Sequence, residues 1–155
     1  MVHRFERFSL DISEIYRYWH KIASEEMAKY DLKGPHCIYL TALARHPDGM
    51  TAPQICEFCG KDKSDVSRMM ALMEKKGLVV KEGGFQNGYR GAFRLTEAGT
   101  AAAEFVKKRA ALAVELAGKD LTEENRTLFY ETLDSIASNL RTLSEDGLPD
   151  ENQRG

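Results

Sequence analysis

Long apolar runs are missing from this 155-residue sequence. None approaches the ~20 residues that a membrane-spanning helix needs, so no membrane association is expected. The first residues, "MVHRFERFSLDISE", carry early acids and no apolar core, unlike a signal peptide. Cysteine is scarce: Cys37, Cys56 and Cys59 are too few, and odd in number, for a disulfide scaffold. A reducing cytoplasm is the expected compartment. The four histidines, His3, His20, His36 and His46, form no paired zinc-ligand spacing, and no metal or cofactor is expected. No Ser/His/Asp order and no paired carboxylates in a glycine-framed turn are present, so an enzyme is not expected. The net charge is only −2, which by itself argues against a nucleic-acid binder.

The distribution of charge says more than its sum. Residues 60–94 hold eight Lys/Arg against four Asp/Glu, a net of +4, while residues 119–155 carry a net of −5. A local basic face on an acidic protein still attracts phosphate. The length favours one domain with a real core.

Periodicity and capping signals lay out the chain. Phe5, Phe8, Ile12, Ile15, Trp19 and Ile22 step by three and four, which predicts a long helix over 8–30. "DLKGP" breaks it, and "HCIYLTALARH" (36–46) reads as a second helix with Ile38, Leu40, Leu43 and Ala44 apolar. Thr51 with Gln54 is a capping-box start, with Pro53 in the first turn and Gly60 as the stop. Asp62 with Asp65 opens the next helix, which ends at Gly77. "LVVKEGG" and "AFRL" read as two strands around an Asn-Gly hairpin signal in "FQNGYRG". Thr96 caps a long helix to about Ala117, and Thr122 caps another to about Leu143. Residues 145–155 read as a polar, flexible tail.

"CEFCGKDKSDVSR" (56–68) admits three readings: a C-x-x-C metal or redox site, a phosphate loop, or the turn and reading helix of a DNA-binding unit. The phosphate loop fails, because its first glycine is absent and the stretch follows a helix. Zinc would need two more ligands at suitable spacing. The third reading fits the packing. Cys56 is the small residue four positions before the turn glycine, and Ile55 and Cys59 flank it as apolar neighbours. Val66, Met69 and Met73 form a stripe to bury, which leaves Lys63, Ser64, Ser67, Arg68 and Ala71 facing outward. Small, hydroxyl and basic residues suit a major groove. Two short helices, a glycine turn and a hairpin describe a winged helix-turn-helix. The expected fold class is therefore mostly α with a small β-hairpin wing (α+β).

"LTALARHPDGMTAPQICEFCGKDKSDVSRMMALMEKKGLVVKEGG…YRGAFRLTEAGTAAAE" resembles the MarR family of bacterial transcriptional regulators, closely over residues 36–104. The resemblance implies a homodimeric repressor on a palindromic double-stranded DNA operator, released by a small aromatic or phenolic effector or by cysteine oxidation. It implies a single MarR-type domain over 1–155, with dimerisation helices at 1–34 and 97–144 and the winged lobe at 35–96. The family's wing carries an Asp-x-Arg motif; here Arg90 matches the arginine, and Asn87 is the nearest residue to the missing aspartate.

The expected DNA contacts are Lys61, Lys63, Ser64, Ser67, Arg68, Asn87 and Arg90, with Arg68 the expected base reader. Lys75 and Lys76 are explained as well by the helix C-terminus as by DNA. Tyr16, His20, His36 and Tyr39 are the expected ligand-pocket residues, though ordinary packing accounts for them too, and the histidines also suit a pH response. Cys37 is a weak candidate for oxidant sensing. The leftover apolar faces of the terminal helices call for a partner, and a two-fold dimer would set two reading helices about 34 Å apart. The alternative is a small-molecule or redox sensor that works through protein contacts and has little DNA affinity.

Overall fold

The computed structural model describes residues 2–83 and 91–149, with backbone alone at Val2 and Pro35. The elements run α1 (Val2–Met27), α2 (Cys37–Arg45), α3 (Ala52–Cys59), α4 (Lys63–Lys75), β1 (Val79–Glu82), β2 (Ala92–Leu95), α5 (Glu97–Ala117) and α6 (Glu123–Asp146). Single 3-10 turns at Ala28–Tyr30 and Gly34–His36 join α1 to α2. The chain divides into two units, Met1–Leu112 and Ala113–Gly155. No helix among the described residues is long and apolar enough to cross a membrane.

The first unit holds the core. Leu40 and Leu43 from α2, Ile55 from α3, and Val66, Met70 and Met73 from α4 are all essentially inaccessible to solvent. Phe93 and Val79 close the core from the strands. β1 and β2 pair antiparallel, with Val79 opposite Leu95 and Glu82 opposite Ala92. Met50 adds one more bridge, donating to Phe93 O at 3.0 Å and accepting from Phe93 N at 2.8 Å, so the segment between α2 and α3 joins the edge of the hairpin. The Asn-Gly turn signal at Asn87 lies outside the described residues.

Local chemistry sets the helix ends. Gln54 Oε1 accepts the Thr51 N–H at 2.8 Å at the start of α3. Asp62 Oδ1 accepts the Asp65 N–H at 2.8 Å at the start of α4. Thr122 Oγ1 accepts the Asn125 N–H at 3.2 Å at the start of α6. In each case a side-chain oxygen takes up an N–H that the first helical turn leaves free. Between α3 and α4, Gly60 sits in the left-handed region at φ 61°, and Lys61 N donates to Cys56 O at 3.0 Å. A glycine adopts that conformation without the steric penalty of a Cβ.

The structure corrects three expectations. α1 begins at Val2 and ends at Met27, and Ala28–Tyr30 tightens into a 3-10 turn. α2 begins at Cys37, and it buries Tyr39, Leu40, Ala42 and Leu43 while Ile38 and Ala44 face solvent. A nine-residue helix owes its buried face to what packs on it, and here α3 and β2 pack on α2. α6 continues to Asp146, three residues past Leu143.

The second unit comprises the end of α5, a short turn and α6. Arg126 ties it together, donating to Gly118 O at 3.1 Å and pairing with Glu115 at 3.6 Å and Glu123 at 3.2 Å. No residue of α6 is buried.

The start of α5 docks on the turn that follows α4. Thr96 N donates to Leu78 O at 3.0 Å, and Thr96 Oγ1 donates to Gly77 O at 2.6 Å while accepting the Gly99 N–H at 3.0 Å. A Cβ on Gly99 would lie 1.9 Å from Leu78 O. Gly99→Ala should therefore lower the unfolding free energy by about 1–3 kcal/mol in urea denaturation. An alanine that merely improved helix propensity would raise stability instead, so the sign of the change decides.

Candidate nucleic-acid interface

The reading-helix candidate, α4, owes its orientation to one buried stripe. Val66 and Met73 have no solvent exposure, Met70 has 1% and Met69 7%. That stripe turns the opposite face outward, where Lys63, Ser64, Ser67, Arg68 and Ala71 are all exposed, with Lys61 exposed in the preceding turn. The sequence-expected contacts Lys61, Lys63, Ser64, Ser67 and Arg68 thus share one surface. Among the described residues, neither Lys61 nor Lys63 pairs with a carboxylate. Arg68 does: its Nη2 lies 3.2 Å from Asp65 Oδ1. Asn87 and Arg90 lie outside the described residues.

The two lysines at the end of α4 separate. Lys75 is exposed, whereas Lys76 pairs with Asp31 at the end of α1, in the left-handed region at φ 53°. The Lys76 ammonium holds the Asp31 carboxyl below its usual value. This pair spans 45 residues of sequence and fastens the far end of α4 to the 3-10 turn after α1. Arg94 on β2 is a second residue that the sequence reading passed over. It donates to Glu82 Oε2 at 2.7 Å across the hairpin and to Pro47 O at 3.0 Å, which locks the base of the wing to the α2–α3 segment. Neither pair carries a local signal, since each joins residues that only packing brings together.

The cysteines sit in this lobe as small apolar residues. Cys59 is 7% exposed and Cys56 is half-buried against the core. Burial, and then the neighbouring Cys56, push the Cys59 thiol up. Burial likewise raises the Cys37 thiol, with a bond to Thr41 opposing it. Thiols held in the protonated form are poor nucleophiles. Among the described residues, no group of three or more His, Cys, Asp or Glu is placed to hold a metal ion.

A groove of about 1100 Å³ runs between α1, α2, α5 and the strands of the first unit. Trp19, Ile22, Ile38 and Val106 give it apolar walls, and Glu26, Arg94 and Lys107 add charge. Of the four sequence-expected pocket residues, His20 lines it. Tyr16 stacks on His20 with ring centroids 4.1 Å apart and is otherwise exposed. His36 is half-buried in its 3-10 turn, where Nδ1 accepts the Lys33 N–H at 3.1 Å. Burial, and then Lys33, lower its pKa against the opposing charge of Asp65. Tyr39 is 2% exposed in the core, and its hydroxyl has no hydrogen-bond partner among the described residues. Burial first, and then the charge of Asp65, push the phenol up to about 12.

Glu26 ties the groove's walls together. Its carboxylate accepts from Lys29 Nζ at 2.6 Å and from Arg109 Nε at 3.0 Å, so α1 is fastened to α5. The Lys29 bond, supported by Arg109, holds the Glu26 pKa below the ordinary 4.5 although burial opposes it. A carboxylate with a lowered folded pKa adds stability that is present above its unfolded value and is lost as pH falls through the folded one. The melting temperature should therefore drop on acidification below pH 4.5. Glu26→Gln should melt lower near neutrality and show a shallower acid limb in a calorimetric pH series. Equal limbs for the two proteins would mean that the pair does not hold the helices.

Residues 30–84 match the sequence profile of the MarR family. No curated protein sequence matches the chain. Among solved structures, one MarR family transcription regulator superposes with a TM-score of 0.80 at 15% identity, covering 95% of this chain and 99% of its own. A putative MarR family regulator from Listeria monocytogenes, solved with a 26mer DNA, gives 0.73 at 21% identity over 91% of this chain and 95% of that one. The Staphylococcus aureus MepR–DNA complex gives 0.74 at 21% identity over 86% and 96%. These likenesses establish the winged-helix fold.

Proposed function

We propose that the chain, whose residues 30–84 match the MarR family, is a DNA-binding transcription regulator that acts as a homodimeric repressor in the cytoplasm. The observation that carries this reading is the outward face of α4. It gathers Lys61, Lys63, Ser64, Ser67 and Arg68 on one exposed surface while a methionine stripe fixes the helix from behind. Lysines neutralise phosphates, hydroxyls and small side chains admit the helix to a major groove, and an arginine reaches a guanine edge. Two of the superposable structures are themselves DNA complexes, which supports the same use here. Arg90 and Asn87 are the proposed wing contacts.

A homodimer is supported by the apolar surface that each unit leaves uncovered. On α1, Phe5 is 74% exposed, Leu10 69% and Ile15 59%. On α6, Leu128 is 60% and Leu140 49% exposed. Exposed apolar residues on each of these long helices mark a surface that a partner covers. The two-fold arrangement matches a palindromic operator. The groove beside His20 and Trp19 is the proposed site of an aromatic or phenolic effector, and Tyr16 stands at its rim.

Two measurements test the proposal. Sedimentation equilibrium should give about twice the 17.5 kDa chain mass. A monomer at micromolar concentration would remove the symmetric-operator argument. Fluorescence anisotropy with DNA from upstream of the chain's own gene should show tight binding that weakens steeply with salt. Arg68→Ala should lose about 1–3 kcal/mol of discrimination between that DNA and a scrambled duplex. Binding no tighter than the non-specific range of ~10⁻⁴–10⁻⁶ M, and insensitive to salt, would favour a sensor that works through protein contacts.

A further inference from the structure

A carboxylate is out of place on a surface that meets a polyanion, yet Asp65 sits in the first turn of α4 among Lys61, Lys63, Ser64 and Arg68. Helix capping does not account for it, because Asp62 already supplies the cap through the Asp65 N–H. A favourable interaction with the helix N-terminus is one use for the charge. The geometry shows a second. Asp65 Oδ1 accepts from Arg68 Nη2 at 3.2 Å, one turn along the same face. The Asp65 side chain is 44% exposed against 74% for Arg68, so the carboxylate is the less exposed member of the pair. From below, Asp65 is close enough to the buried Tyr39 phenol and to His36 for its charge to bear on both. The phenol stays neutral, and Lys33 is the cation beside His36.

A guanidinium carries five donors in a planar fork. One donor held by Asp65 leaves other donors of the fork free for a pair of acceptors such as guanine O6 and N7. The same carboxylate repels a phosphate that approaches Arg68, so the pair disfavours the generic backbone contact that a free arginine makes readily. We propose that Asp65 is a positioning residue that holds Arg68 for a base edge and withholds it from phosphate, so that it exchanges general DNA affinity for sequence preference. The inference rests on the DNA-binding reading above and goes beyond it by naming the residue that sets specificity without touching a base.

The test uses the full chain with two probes. One is a duplex recovered by the wild-type protein from a random-sequence pool, and the other is a scrambled duplex of equal length and composition. Affinities are measured by anisotropy over a salt series for wild type, Asp65→Ala, Arg68→Ala and the double variant. Asp65→Ala should bind the scrambled duplex more tightly, with a salt slope steeper by about 0.9, the signature of one added phosphate contact. Its preference for the selected duplex should fall at least about fivefold. In the Arg68→Ala background, the Asp65→Ala change should leave the preference unaltered, because its effect runs through the guanidinium. A purely structural role at the helix N-terminus would lower melting temperature and affinity for both duplexes alike, in both backgrounds, and that result overturns the proposal. If Asp65→Ala does not fold, Asp65→Asn keeps the side-chain shape while removing the charge. It should still steepen the salt slope, and an unchanged slope overturns the proposal. If the wild-type protein recovers no preferred duplex, the DNA-binding reading itself fails, a different outcome from a preference that survives Asp65→Ala.

Discussion

The close approach of Gly99 to the Leu78 carbonyl is the contact on which the winged lobe depends. It joins four elements at one point: the end of α4 through Gly77, the start of β1 through Leu78, the end of β2 through Thr96, and the first turn of α5. The Thr96 hydroxyl donates to Gly77 and accepts from Gly99, so a single side chain satisfies groups on both sides of the junction. Buried backbone polar groups must find partners, and this hydroxyl serves the N–H of the buried Gly99. α4 and the base of the hairpin are thereby fixed to the same point.

Given that junction, the outward face of α4 follows from what its inward face buries. Met69, Met70 and Met73 fill the space beside Leu40, Leu43 and Ile55 with flexible thioether chains that adapt to an irregular gap. Apart from the half-buried Leu72, every residue left over is small, hydroxylic or charged. The basic surface therefore arises without any basic residue having to be positioned individually. Among the described residues, Arg68 is the one cation on that face paired with a carboxylate.

Two long-range ion pairs connect this lobe to α1. Lys76 reaches Asp31 just beyond the end of α1, and Glu26 within α1 takes Lys29 and Arg109. Surface ion pairs are individually weak, typically below about 1 kcal/mol. Their value here is geometric. Glu26 lines the groove and is fastened to α5, while Asp31, five residues on, is fastened to the end of α4.

The sequence by itself determined the elements and their caps. Thr51, Asp62, Thr96 and Thr122 start helices, Gly60 and Gly77 end them, and the stripe of Val66, Met69 and Met73 predicts which face of α4 is exposed. These signals are legible because each depends on residues within one or two helical turns. The tertiary structure decided what proximity alone controls. Of the apolar residues of α2, packing buries Leu40 and Leu43 and leaves Ile38 and Ala44 on the groove. Lys76 is taken by Asp31, and Arg94 by Glu82 and Pro47, although nothing in the local pattern links them. Of the four aromatic and histidine residues expected at a pocket, the fold sends Tyr39 into the core and leaves His20 on the groove wall. Spacing along a chain fixes the face on which a residue stands, and only packing fixes what that face meets.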